Sequence, residues 1–80
     1  MEIFYKPSVF KQLKKIPKVE LKKIFKKLEA LKDDPYVGKP LKGKFKGLCS
    51  IKPWPYRIIY EITSKKIIIF SISHRQGSYK

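Results

Sequence analysis

An 80-residue chain with a formal net charge of +14 must fold against its own repulsion. Small soluble domains ordinarily carry a net charge of roughly 2–8 in magnitude. A chain of this length also buries only about 60% of its unfolded surface, so it has little stability to spare. The reading that follows is a single domain spanning 1–80, which excludes a multidomain enzyme. A hydrophobic fraction of 42%, with five Phe, five Tyr and one Trp, is too rich for a disordered basic tail and supplies the core that offsets the charge. Six acids cannot pair with twenty bases. The surplus positive charge calls for an external anion, which directs attention to nucleic acid or an acidic partner.

One cysteine, Cys49, and one histidine, His74, exclude both an internal disulfide framework and a Cys/His zinc site. There is no Gly-rich phosphate loop and no carboxylate cluster for divalent metals, so no cofactor is expected. Met1 leads directly into strand-like residues, and no apolar run reaches the roughly 18 residues of a membrane span. The expectation is a cytoplasmic protein with no membrane partner.

The apolar spacing divides the chain into a short strand, two helices and a block of strands. Glu2 to Lys6 alternates, with Ile3 and Tyr5 on one face. Pro7 stops it, and Ser8 is the expected N-cap of a helix whose Val9 or Phe10, Leu13 and Ile16 point inward. Pro17 interrupts that helix. From Lys18 to Lys32 a second helix places Val19, Leu21, Ile24, Phe25, Leu28 and Leu31 inward, and Asp33-Asp34-Pro35 ends it. Tyr36 to Gly47, with Gly38, Pro40, Gly43 and Gly47 among four lysines, reads as a mobile loop, either a solvated linker or a nucleic-acid contact.

After Gly47 the period changes to two. Leu48 to Lys52 and Tyr56 to Ile62 form strands about a Pro53-Trp54-Pro55 turn, and Ile67 to His74 forms a last strand. Ile67 to Ile72 is apolar on both faces over its first half and is expected to lie centrally in the sheet. The order β-α-α-β-β-β predicts an α+β fold, with a helical hairpin packed on a largely antiparallel sheet.

Lysine outnumbers arginine eighteen to two, and eleven isoleucines accompany it. Both follow from the codon bias of an AT-rich genome, which makes Arg57 and Arg75 the more informative bases: a guanidinium presents a rigid bidentate fork to phosphate that an ammonium cannot copy. Arg57 lies in Tyr56-Arg57-Ile58-Ile59-Tyr60, where a charge costs free energy unless paired or kept wet at a cleft. Lys52 flanks the same turn, which brings two cations close together if the strands pair in order. His74, Arg75 and Tyr79 end the chain. In a cationic pocket, surrounding positive charge lowers the pKa of tyrosine and lysine, so a base can arise without carboxylates. Arginines there stabilise a pentacoordinate phosphorane.

These residues resemble the RelE/ParE superfamily of small toxins from prokaryotic toxin–antitoxin systems, and more closely its RelE-like branch. The resemblance rests on Leu41-Lys42-Gly43, on Tyr56-Arg57-Ile58-Ile59-Tyr60-Glu61-Ile62, and on Ile72-Ser73-His74-Arg75 leading to Tyr79. It implies a ribosome-dependent endoribonuclease that cuts mRNA at the A site and inhibits translation without a metal. Attack by the RNA 2′-OH on the adjacent phosphorus would leave a 2′,3′-cyclic phosphate and a 5′-hydroxyl. By the same resemblance Arg57 holds the scissile phosphate, and Arg75 stabilises charge or protonates the leaving oxygen. Lys52 and Tyr79 transfer protons, and His74 partly replaces a base that the family's enzymes carry where this chain has Ser50. The implied partners are the ribosome, mRNA and a RelB-like antitoxin that wraps the toxin. Ser50 keeps open a ParE-like inhibitor of DNA gyrase. A non-catalytic basic module stacking bases on Trp54 and Tyr56 also stays open, with Trp54 alternatively a turn anchor.

Overall fold

The computed structural model describes residues 2–41, 43 and 47–74. The elements in chain order are β1 (Glu2–Tyr5), α1 (Pro7–Lys14), α2 (Lys18–Asp33), a 3-10 turn (Pro35–Val37), β2 (Lys39–Pro40), β3 (Leu48–Ile51), β4 (Tyr56–Ile62) and β5 (Lys66–His74). They build an α+β fold in which the two helices pack on one face of a five-stranded sheet of order β1-β5-β4-β3-β2. Every neighbouring pair is antiparallel except β1 and β5, which run parallel. The β5 strand lies between β1 and β4, the interior place its two-sided apolar pattern predicts.

Helix α1 begins two residues earlier than the Ser8 cap predicts. Pro7 occupies the first helical turn and Lys6 precedes it without a side-chain cap. Proline suits that position because its fixed φ is already helical and its missing N–H would have no partner there. Helix α2 has Glu20 in its first turn and Lys32 in its last, both favourable to the helix dipole. The Asp34 carboxylate accepts from the Tyr36 backbone N–H at 3.0 Å, so it caps the 3-10 turn as well as following α2.

The core is formed by Val9, Ile16, Ile24, Leu28 and Leu31 of the helical layer against Tyr56, Ile58, Tyr60, Ile67, Ile69 and Ile72 of the sheet. Two expected core residues are outside it: Val19 is 60% exposed and Phe25 47%. At 100° per residue, Leu21, Ile24, Leu28 and Leu31 define one stripe, from which Phe25 is displaced by roughly 80° while Val19 lies nearly opposite.

The segment read as a mobile loop is partly structured. Lys39 and Pro40 pair with Ser50 and Cys49, adding a fifth strand. The Tyr60 hydroxyl anchors this segment, donating to the Pro35 carbonyl at 2.9 Å and accepting from the Gly38 N–H at 3.1 Å. Glycine is required at 38 by close approach: a Cβ there would run into Tyr60 Oη and lie 2.7 Å from the Ser50 carbonyl. A two-residue edge strand with a lysine and a proline also discourages edge-to-edge association.

Candidate active site

Register assigns the polar residues to faces. Strand β4 alternates without interruption, so Ile58, Tyr60 and Ile62 face the helices while Arg57, Ile59 and Glu61 face away. Strand β5 does not alternate throughout. Ile59 lies opposite Ser71 but Tyr60 lies opposite Ile69, which leaves Phe70 as the extra residue of a bulge. The bulge reverses the parity of everything after it. Ile67 and Ile69 enter the core before it and Ile72 after it, and Ser71 and Ser73 turn to the face away from the helices.

On that face Arg57 is paired in register with Ser73, and Ile59 with both Ser71 and Ser50. Arg57 is 8% exposed and Ser50 6%, the two buried polar or charged residues among those described. Lys52 follows β3 directly and is exposed. It stands one position past the last β3–β4 pair, Ile51 with Ile58, and so continues the row that holds Ser50 and Arg57. The structure therefore brings Lys52, Arg57 and Ser50 together at the turn end of the sheet, with Ser71 and Ser73 beside them. This is a small polar floor with a buried guanidinium and an exposed ammonium at its rim, an arrangement suited to an oxyanion such as a phosphodiester.

His74 is not on that face. It pairs with Tyr56, a core residue, and their rings meet edge to face at 5.3 Å between centroids. It borders a depression with Gln12, Lys15 and Ile16 at the end of α1. Uninterrupted alternation would have put His74 with Arg57; the bulge at Phe70 turns it to the helix side. Arg75 and Tyr79 lie outside the described residues. Among the described residues there is no group of three or more His, Cys, Asp or Glu that could hold a metal ion, and no helix long and apolar enough to cross a membrane.

The ParE toxin model of type II toxin–antitoxin systems matches residues 3–79, nearly the whole chain. The chain belongs to this toxin family. No curated protein sequence matches it. Among solved structures, the RelBE2 toxin–antitoxin complex of Mycobacterium tuberculosis contains a chain similar at a TM-score of 0.85 and 26% identity, over 92% of this toxin and 96% of that chain. A chain of the archaeal RelE–RelB complex of Pyrococcus horikoshii is similar at a TM-score of 0.80 and 22% identity, covering 96% and 97%. The isolated RelE toxin of E. coli follows at 0.81 and 19%, covering 98% and 87%. The last two identities speak to the fold alone. The superfamily and the α+β architecture read from the sequence are thus the observed ones.

The residues that sequence reasoning missed are Ser71 and Ser73. As strand serines they carried no chemical signal, and their place beside Arg57 depends on a bulge that alternation does not reveal. The buried position of Ser50 likewise depends on β2, which the sequence read as loop.

Proposed function

We propose that this toxin is a metal-independent endoribonuclease that cleaves mRNA in the ribosomal A site and is neutralised by a cognate antitoxin. The observation that carries this reading is Arg57, a guanidinium fixed in an apolar strand on the sheet face away from the helices, in register with the row that holds Lys52 and Ser50. A planar guanidinium with an ammonium and hydroxyls beside it is a donor set matched to a phosphodiester. A guanidinium held by the sheet can bridge two non-bridging phosphate oxygens and strengthen its hold as negative charge develops in the phosphorane.

In the proposed reaction the 2′-OH attacks the adjacent phosphorus while Lys52 or Tyr79 accepts its proton. The P–O5′ bond breaks to give a 2′,3′-cyclic phosphate, and Arg75 or Tyr79 supplies the proton that leaves a 5′-hydroxyl. His74, on the opposite face, has no part in proton transfer. Dependence on the 2′-OH makes RNA the substrate. Antitoxin binding fits the surplus positive charge, and its partner is expected to be acidic.

The test is cleavage mapping on translating ribosomes programmed with a defined mRNA. Cuts within the A-site codon are expected with purified toxin and are absent with Arg57→Ala; intact mRNA with folded wild-type toxin would overturn the reading. A second reading, a gyrase inhibitor, is favoured by the ParE family match and by the neutral Ser50. Loss of supercoiling in a purified gyrase assay, with mRNA left whole, would select it.

A further inference from the structure

Beyond the sheet face, the β3–β4 turn and α2 enclose an open groove of about 460 Å³ lined by Lys23, Lys26, Lys27 and Lys52 together with Pro53 and Trp54. Residues three and four apart on a helix are neighbours at about 5–6 Å between Cβ atoms, so the three α2 lysines form one cationic wall. Within the helix, Lys23 and Lys27 repel at i,i+4, and the Glu20 carboxylate, 3.6 Å from Lys23 Nζ, offsets only part of this. Opposite that wall stands Trp54, 62% exposed and set between two prolines.

We infer that this groove binds the stretch of single-stranded RNA flanking the scissile phosphate, with one base stacked on Trp54 and its phosphates held by Lys23, Lys26 and Lys27. Two observations favour a nucleic-acid strand over an acidic peptide. An indole face is the negative side of the ring quadrupole, so a carboxylate gains nothing from it, whereas any base has a π-face to stack there. Lys52 also borders both this groove and a second depression formed with Gly38, Lys39 and Ser50. Lys52 thus joins the groove to the depression beside Ser50, and a strand long enough to occupy one can continue into the other. Alternating aromatic and cationic groups suit a polymer that alternates base and phosphate.

The assignment of RNA as the bound strand rests on the endoribonuclease reading, but the test needs neither a ribosome nor cleavage. Trp54 is the one tryptophan of the chain, so its fluorescence reports the groove alone. Titrating the full-length toxin with a six-nucleotide single-stranded RNA should give saturable quenching. Anisotropy of the same RNA, dye-labelled, should show Trp54→Ala binding on the order of tenfold more weakly with an unchanged salt slope. Replacing Lys23, Lys26 and Lys27 by Gln should flatten the slope of log affinity against log salt by about 2. Gln is a good helix former and removes the i,i+4 repulsion, so that variant should keep its circular dichroism. Absence of quenching, full affinity in Trp54→Ala, or equal quenching by a hexaglutamate peptide would overturn the inference. Quenching without ribosomal cleavage would instead sink the enzymatic reading and leave the groove assignment standing.

Discussion

Arg57 and Tyr60 stand three residues apart on one strand and show how differently a buried polar group can be held. Tyr60 is fully buried in the core, and both of its hydroxyl hydrogen bonds go to backbone: the Pro35 carbonyl and the Gly38 N–H. Burial pushes its pKa above the ordinary 10.0, the nearby Cys49 and Asp34 act in the same direction, and the Gly38 hydrogen bond opposes them. The raised value makes the proton a folded-state asset. Below about pH 10 both states keep it and its full contribution is present. As pH rises toward the folded pKa the unfolded chain has already released its proton, so that contribution is lost. Tyr60→Phe should lower stability at pH 7 by about 1–3 kcal/mol, since two backbone groups lose their partner. Because lysine neutralisation is common to both proteins, the wild type minus Tyr60→Phe difference, measured by urea unfolding, should shrink above pH 10. A constant difference would remove Tyr60 from that role. Arg57 is buried too, and its guanidinium is assigned to a phosphate rather than to the backbone. Arg57→Met should keep the wild-type circular dichroism while A-site cleavage falls by on the order of 10²–10³. A marked fall in melting temperature would mean that the guanidinium serves the fold.

At the scale of elements, the bulge in β5 organises both the core and the site. Past the end of β1, which pairs only as far as Ile69, β5 has no neighbouring strand on that side among the described residues. The Ile72 N–H is instead taken up at 2.7 Å by the Gln12 side-chain carbonyl of α1. This bond ties the helical layer to the strand just beyond the parity change. Gln12→Leu should cost about 1–3 kcal/mol and speed hydrogen exchange at Ile72 well ahead of Ile58, its partner in β4. Unchanged protection at Ile72 would show that the bond is replaceable by water. The same bulge explains what could be read from the sequence. Period-two patterning located β3, β4 and β5, and the spacing of Ile24, Leu28 and Leu31 gave the buried stripe of α2, because burial writes itself into hydrophobic period. A bulge adds one residue without altering composition, so His74 was grouped with Arg57 although it faces the other way. The β2 strand was missed for a related reason: Lys39 and Pro40 are an edge pair that follows Gly38, whose N–H is held by the hydroxyl of Tyr60, a long-range contact with no local sequence signature. Arg57 and Lys52 could be found because a charge in an apolar strand, and a base beside a turn, are anomalies visible locally.

At the scale of the whole molecule the +14 charge is unevenly answered. Lys23 and Lys32 reach Glu20 and Glu29 at 3.6 and 3.3 Å, pairs at the surface, with Glu20 half-buried, worth a few tenths of a kcal/mol each. Lys6 covers the Phe70 ring at 3.9 Å and Lys66 the Phe4 ring at 5.3 Å, so two more lysines shield aromatic surface on the sheet. None of these contacts reduces the net charge. Repulsion among the α2 lysines and Lys52 of the β3–β4 turn is a standing cost of the isolated toxin, relieved by screening or by a polyanion. Ionic strength is therefore the direct measure of that cost. Raising salt from about 0.01 to 0.15 M shortens the screening length from about 30 to 8 Å, which damps all but the nearest of these repulsions. With a polar, weakly interacting salt such as sodium chloride, the melting temperature should climb by several degrees, given about 4–8 °C per kcal/mol for a domain of this size. The triple substitution of Lys23, Lys26 and Lys27 by Gln should start from a higher melting temperature at low salt and gain less on salt addition. An equal gain in both proteins would place the repulsion elsewhere on the surface; a fall with salt would mean that the short-range pairs outweigh the net charge. The same cost sets the direction of linkage with an acidic antitoxin or RNA: a ligand that binds the folded toxin and neutralises α2 stabilises it both by occupancy and by relief of repulsion, so its effect on melting should be largest where salt is lowest.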